Sequence, residues 1–259
     1  MKQPLGQADH YDVILDEYER HYYDESSLAY RERYIYPTLF AGIDLSNRRV
    51  IELACGSGFN TQALLRRFPA AEPLGLDISP RSCEAYRRNT GRPAQVFDLT
   101  DPSPVDLPEP ADCSFVVGGL HHCVRDLPST FANLRRLIRL GGHLLLVEPN
   151  ADFVLNALRM AWYRRDRWFQ AQDEAPLDHD LLLSEASGFE AEFVSYLGGP
   201  AYFLIANSLV MRMPLAFKRP LAPALFAVDD LYNRLPGRRP YPMFIARWRR
   251  VTSPGESAV

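Results

Sequence analysis

Histidine and cysteine are scarce in this chain, and the few present are badly spaced for holding a metal. Six histidines and four cysteines occur in 259 residues. Cys55, Cys83, Cys113 and Cys123 form no CxxC pair and have no companion histidine at ligand spacing. That argues against a zinc module or a disulfide framework and fits reduced thiols in a cytoplasmic protein, with no metal expected. Charge of either sign is not in excess: 29 Lys and Arg face 32 Asp and Glu, a formal net charge of -3. Without a basic footprint, nucleic acid is not an expected partner. No apolar run reaches the ~20 residues of a membrane-spanning helix. The longest, 201–217, is interrupted by Asn207 and Arg212, and residues 1–10 lack the apolar core of a signal peptide. Internal repeats and low-complexity tracts are absent as well.

What remains is an ordinary soluble composition, large enough for one α/β domain with additions. Residues 1–47 read as helical and aromatic. In residues 48–149 short apolar runs alternate with amphipathic stretches. Strands are expected at 49–53, 74–76, 94–97, 112–118 and 143–147, with helices at 61–68, 79–89 and 128–140. Ser79 and Pro80 mark the start of the second helix, and Gly141-Gly142 the end of the third. This alternation implies right-handed βαβ units and a mostly parallel sheet. Two later strands are expected at 190–197 and 242–248, separated by an apolar, proline-spaced helical stretch. The fold class is thus a doubly wound, seven-stranded, mostly parallel sheet with an antiparallel last strand and a helical cap. The expected divisions are an N-terminal lid (1–47), a core (48–197 and 240–250) and a cap insertion (198–239).

Polar residues collect at the carboxyl ends of the expected strands: Glu52, Asp77, Asp98, His121, His122 and Glu148. In open α/β sheets this edge is where ligands bind. The turn Glu52-Leu53-Ala54-Cys55-Gly56-Ser57-Gly58 lets backbone N–H groups approach a ligand where side chains are missing. Asp77, 19 residues after Gly58, is placed to accept both hydroxyl protons of a ribose. Asp98 ends the third strand, where a carboxylate can accept from an adenine amino group, with Ile78 and Leu99 flanking the ring.

With these residues the chain resembles the class I S-adenosylmethionine-dependent methyltransferases, well over 48–150 and loosely over 185–250. The family's acidic residue and three alternating glycines read here as Glu52, Ala54, Gly56 and Gly58, so Ala54 departs from the pattern and is expected to tighten the turn slightly. The resemblance implies S-adenosylmethionine as cofactor, held by Glu52, Ala54, Cys55, Gly56, Gly58, Asp77, Ile78, Asp98 and Leu99, with Gly118 beside the methionine moiety. It also implies that an N-terminal segment folds over the cofactor, from which Tyr22, four residues after Tyr18, reaches its carboxylate.

Methyl transfer to a hydroxyl needs a proton acceptor, and histidine suits that role. His121 and His122 follow the fourth strand and are the catalytic candidates. Neighbouring side chains in extended backbone point apart, so only one is expected to face the acceptor. Glu148 either orients a histidine or binds the acceptor. The reading is an enzyme that methylates a small, apolar or aromatic metabolite at oxygen, with nitrogen and carbon as alternatives. An NAD-dependent oxidoreductase is a rival, disfavoured because Thr61 stands at the third glycine of Gly-x-Gly-x-x-Gly. A non-catalytic, membrane-associated protein is another. The insertion is read as a cap over the acceptor, with homodimer contact and lipid contact as competing roles.

Overall fold

A computed structural model describes residues 19–163, 175–211 and 213–252. Seven strands form one sheet: β1 (Arg49–Leu53), β2 (Glu72–Asp77), β3 (Ala94–Val96), β4 (Ala111–Val117), β5 (Ile138–Pro149), β6 (Phe189–Leu197) and β7 (Met243–Arg250). Their spatial order is β3-β2-β1-β4-β5-β7-β6. Only β7 opposes its neighbours, running antiparallel to both β5 and β6. This is the architecture expected from the sequence. The helices are α1 (Glu25–Tyr30), α2 (Tyr36–Leu39), α3 (Phe59–Arg67), α4 (Pro80–Thr90), α5 (Leu127–Leu137), α6 (Asn156–Tyr163), α7 (His179–Glu185), α8 (Ser208–Met211) and α9 (Leu215–Tyr232). None of the described helices is long and apolar enough to cross a membrane.

The central strands are buried on both faces, and their side chains alternate between two cores. Val50, Phe115, Leu145 and Val147 point to one core, with Tyr30 and Tyr36 from the N-terminal segment and Leu64 of α3. Ile51, Val116, Leu144 and Leu146 point to the other, with Phe131, Leu134 and Leu137 of α5 and the fully buried Trp248. The period of two distributes each strand between the layers.

Local signals set the element ends. Ser79 accepts from Ser82 N at 3.0 Å and caps α4, with Pro80 in its first turn and left-handed Gly91 at its end. The expectation for α5 needs correction. The helix stops at Leu137 rather than near residue 140, and Gly141-Gly142 lies inside β5 rather than after the helix. Ile138 is extended and fully buried, pairing with Ala111, while Cys113 already pairs with His143. The residues between bulge out, with Gly141 at φ 74°. Core burial of Ile138 therefore ends the helix before its glycines are reached.

The N-terminal segment is fastened to α9 rather than only to the sheet. Lys218 is fully buried, and its Nζ donates to the His21 carbonyl (2.6 Å), to Ser27 Oγ (2.8 Å) and to the Asp24 carboxylate. Asp24 in turn caps α1 through Ser26 N and Ser27 N. Asp229, also buried, accepts from Tyr30 OH, Gly199 N and Ala201 N. Further along, Arg33 and Tyr34 reach Asp230. Asp24 is partly exposed and keeps its Ser26 and Ser27 donors, so removing Lys218 costs it one charge-assisted hydrogen bond, about 1.5–3 kcal/mol. Lys218→Ala is therefore expected to lower unfolding free energy by about that much, read from urea denaturation; a loss under ~1 kcal/mol would show that the pair does not fasten the segment.

Candidate functional site

The chain reverses its winding direction between β1 and β4, which opens a crevice at their carboxyl ends. Two close approaches shape it. Gly58, at φ 84°, begins α3, and a Cβ there would lie 2.4 Å from Thr90 Cγ2. A Cβ on Gly119 would meet Ala54 Cβ at 2.6 Å and Val116 Cγ2 at 2.7 Å. The loops after β1 and β4 thus touch through the Ala54 methyl. Ala54 itself has φ 50°, a left-handed conformation that costs an L-residue about 1–2 kcal/mol. Ala54 keeps the glycine conformation of the turn and bears its strain.

The resulting cleft encloses about 1070 Å³ including its open mouth. Of the residues singled out in the sequence, Ala54, Gly56, Asp77, Ile78, Asp98, Leu99, Gly118 and His122 line it together. Asp77 accepts from Gly56 N and Ser79 N, both at 2.9 Å, and so ties the β1 turn to the end of β2. Asp98 uses Oδ1 to hold Thr100 N and Oγ1. Phe97, Ile78 and Leu99 add apolar side chains to the same lining.

Glu52, Cys55, Gly58, Tyr22, His121 and Glu148 lie outside the lining. Glu52 is buried and spent on the turn, accepting from Asn60 Nδ2 (2.9 Å), Thr61 N (3.1 Å) and Thr61 Oγ1 (2.5 Å). Thr61, at the third-glycine position, is thereby a partner of the acidic residue of the turn. Cys55 is buried, its N–H bonded to the Leu76 carbonyl. Tyr22 donates its hydroxyl to Asn207 Oδ1. Its neighbour Tyr23 lines the cleft instead, with Glu19. Tyr23 stacks on Phe59 (centroids 4.3 Å apart) beneath the Arg31 guanidinium (4.6 Å). Burial pushes its phenol up, and Arg31 opposes the rise. Spacing from Tyr18, which lies outside the described residues, favoured Tyr22; the helical turn breaks at Tyr23 and Asp24 and swings Tyr23 inward. The Asp24-Glu25-Ser26-Ser27 cap was the available signal for that break. Glu19, Ser57, Ser82, Thr100 and Cys123 also line the cleft and were not singled out.

The histidine pair corrects the expectation of divergent side chains. Leu120–His122 is a 3-10 turn, not extended backbone, and the two rings lie 4.0 Å apart, tilted by 38°. Glu148 organises the turn from below. It is buried, and it accepts from Gly119 N (3.1 Å), Leu120 N (2.7 Å) and His121 N (3.3 Å), with His121 Nδ1 at 2.7 Å. A carboxylate surrounded by N–H groups takes the Nδ1 proton as one more donor, which leaves Nε2 of His121 as its acceptor. Burial and then the Arg159 charge push His121 down to about 3, so this imidazole is neutral. Burial lifts Glu148 to about 7, and its backbone donors hold it from rising further. Among the described residues no group of three or more acidic, histidine or cysteine side chains is placed to hold a metal ion.

Burial also lifts Glu52 from 4.5 to about 7, against the pull of its donors. A raised folded-state pKa contributes stability below the unfolded value, and that contribution is lost as pH climbs through the folded one. At 1.36 kcal/mol per pH unit the full span is on the order of 3 kcal/mol. The stability gap between wild type and Glu52→Gln, which does not titrate, is thus expected to shrink by about 2–3 kcal/mol from pH ~5 to ~8 in parallel urea melts. A gap that stays constant over that range would contradict the raised value.

Residues 51–144 match the family described as Methyltransferase domain. A trans-aconitate 2-methyltransferase from Acidovorax sp. strain JS42 is 35% identical over 139 residues, 53% of this chain and 52% of the relative. The chain thus spans about half the length of the curated relatives it matches. In structure it is similar to an S-adenosylmethionine-dependent methyltransferase of Mesorhizobium loti, with TM-score 0.55 and 18% identity over 83% of this chain and 97% of that one. A methyltransferase of the same kind from Archaeoglobus fulgidus has TM-score 0.56 and 13% identity, covering 91% of this chain and 99% of that one. These two likenesses show the fold, and the sequence match covers the β1 turn, the ends of β2 and β3, and the loop after β4. Over residues 51–144 the chain thus matches the methyltransferase-domain family, and its fold is that of S-adenosylmethionine-dependent methyltransferases.

Proposed function

We propose that the protein transfers the methyl group of S-adenosylmethionine to the hydroxyl of a small metabolite, with His122 as proton acceptor. The observation that carries the reading is the meeting of Asp77, Asp98, Gly118 and His122 in one cleft. The residues fit the cofactor. Two carboxylates, Asp77 and Asp98, share the lining with Ile78, Phe97 and Leu99, and the side-chain-free Gly118-Gly119 backbone lines it as well. When bound, S-adenosylmethionine supplies a methyl group on a cationic sulfur, whose displacement needs no acid.

The chain's own residues do the rest. Asp77 accepts the ribose hydroxyls, Asp98 accepts from the adenine amino group, and the apolar side chains cover the ring. Tyr23 and Glu19 close the cleft from the N-terminal segment. An imidazole nitrogen of His122 takes the acceptor's proton. His121, its Nδ1 engaged by Glu148 and its ring against His122, is a positioning residue. The name of the Acidovorax relative points to a small acid, and its match supports the small-molecule class.

Loss of a charge-assisted hydrogen-bond pair costs about 2–3 kcal/mol, so Asp77→Ala is expected to weaken calorimetric S-adenosylmethionine binding by roughly 30–150-fold. Unchanged affinity in a folded variant would remove the cofactor assignment. Replacement of both histidines by alanine is expected to slow S-adenosylhomocysteine release by about 10²–10⁴-fold, while cofactor affinity stays within a few-fold. Full turnover by that double variant would end their role.

A further inference from the structure

The helix α9 is apolar on two faces, and the fold uses one of them. Its inner face carries Lys218, Ala222 and Asp229, all buried, with Leu225 and Phe226 packed on the core. About a third of a turn away runs a second row: Phe217, Leu221, Ala224, Val228, Leu231 and, in the turn that follows, Leu235. All six are exposed, and the five large ones lie between 41% and 66% accessible. The row contains no charged residue.

The spacing of this row is 4, 3, 4, 3, 4, the alternation of a coiled-coil seam. It also reads the same from either end. Laid antiparallel on a second copy, Phe217 meets Leu235, Leu221 meets Leu231, and Ala224 meets Val228, with the small Ala224 near the centre where two helices must approach. A two-fold interface requires such self-complementarity. The flanking charges agree. Arg219 falls opposite Asn233, and Arg234 falls opposite Lys218, whose ammonium is turned inward to Asp24.

We infer that α9 is the contact face of a symmetric, antiparallel homodimer. With ~150–200 Å² for a whole large apolar side chain, the row offers roughly 450 Å² per copy. That gives about 900 Å² in all, below the ~1,200 Å² of a stable complex and within the range of weak, reversible ones. The dimer is therefore expected to dissociate with a constant on the order of 10–100 µM. A lipid surface suits this face less well, because Arg219 and Arg234 flank Asp230 instead of forming the cluster of ~4–8 basic residues that anionic membranes attract.

Sedimentation velocity on the full chain from ~5 to ~500 µM tests this. The expected result is a concentration-dependent shift from monomer to dimer, with Val228→Glu and Leu231→Glu each weakening association at least tenfold while thermal melting and S-adenosylmethionine binding are unchanged. An Ala224→Cys, Val228→Cys double variant is expected to give a crosslinked dimer under oxidising conditions, as the antiparallel register requires. The proposal falls if wild type stays monomeric throughout that range. It also falls if both glutamate variants dimerise as well as wild type, or if the monomer instead co-sediments with phosphatidylglycerol vesicles through these same side chains.

Discussion

Two carboxylates buried at the carboxyl edge of the sheet govern the shape of the crevice. A charged group out of water survives only if donors surround it. Glu52, at the end of β1, finds its donors in the first turn of α3. Glu148, at the end of β5, finds them in the backbone of the 3-10 turn after β4. Each glutamate draws in a loop that the adjoining strand would otherwise leave free to vary. The Gly56, Gly118 and His122 positions follow from these two satisfied charges. Between them the Ala54 methyl fills the one gap where the loops touch.

The parts of the site legible in the sequence were those fixed by one residue at a strand end. Asp77 and Asp98 follow apolar runs and precede helix or turn signals, so their edge position could be read directly. Glu52 and Glu148 could be placed but not assigned, because whether a carboxylate faces a ligand or a loop depends on donors that sequence distance hides. Tyr22 and Tyr23 differ by one position, and the choice between them turned on where a short helical turn breaks. The histidines were read as extended neighbours, since nothing in Gly119-Leu120-His121-His122 announces a 3-10 turn organised by a glutamate 27 residues on. The end of α5 was misplaced for a related reason: a glycine pair is a local signal, and the burial of Ile138 against Ala111 overrode it.

The histidine pair illustrates how one carboxylate divides the labour of two like side chains. Burial and the Arg159 charge keep His121 neutral and contact with Glu148 orients it, while His122, tilted against it, reaches the cleft. A ring held on one side by a fixed neighbour loses little further freedom when an acceptor arrives, which is the form in which positioning lowers a barrier. The same economy holds on the opposite wall, where Tyr23 is fixed between Phe59 and Arg31 before any ligand enters.

The attachment of residues 21–34 to α9 has a temporal meaning. Lys218, Asp229 and Asp230 are nearly two hundred residues downstream of the groups they hold. The wall bearing Glu19 and Tyr23 is synthesised before α9, so it first holds only to the sheet side, through Tyr23 on Phe59 and Tyr36 on Asn60, and is fastened fully when α9 emerges. Such long-range closure is slow compared with the assembly of neighbouring βα units. The central strands can therefore gather before this wall is fully fastened, and a segment made early becomes one of the last to settle.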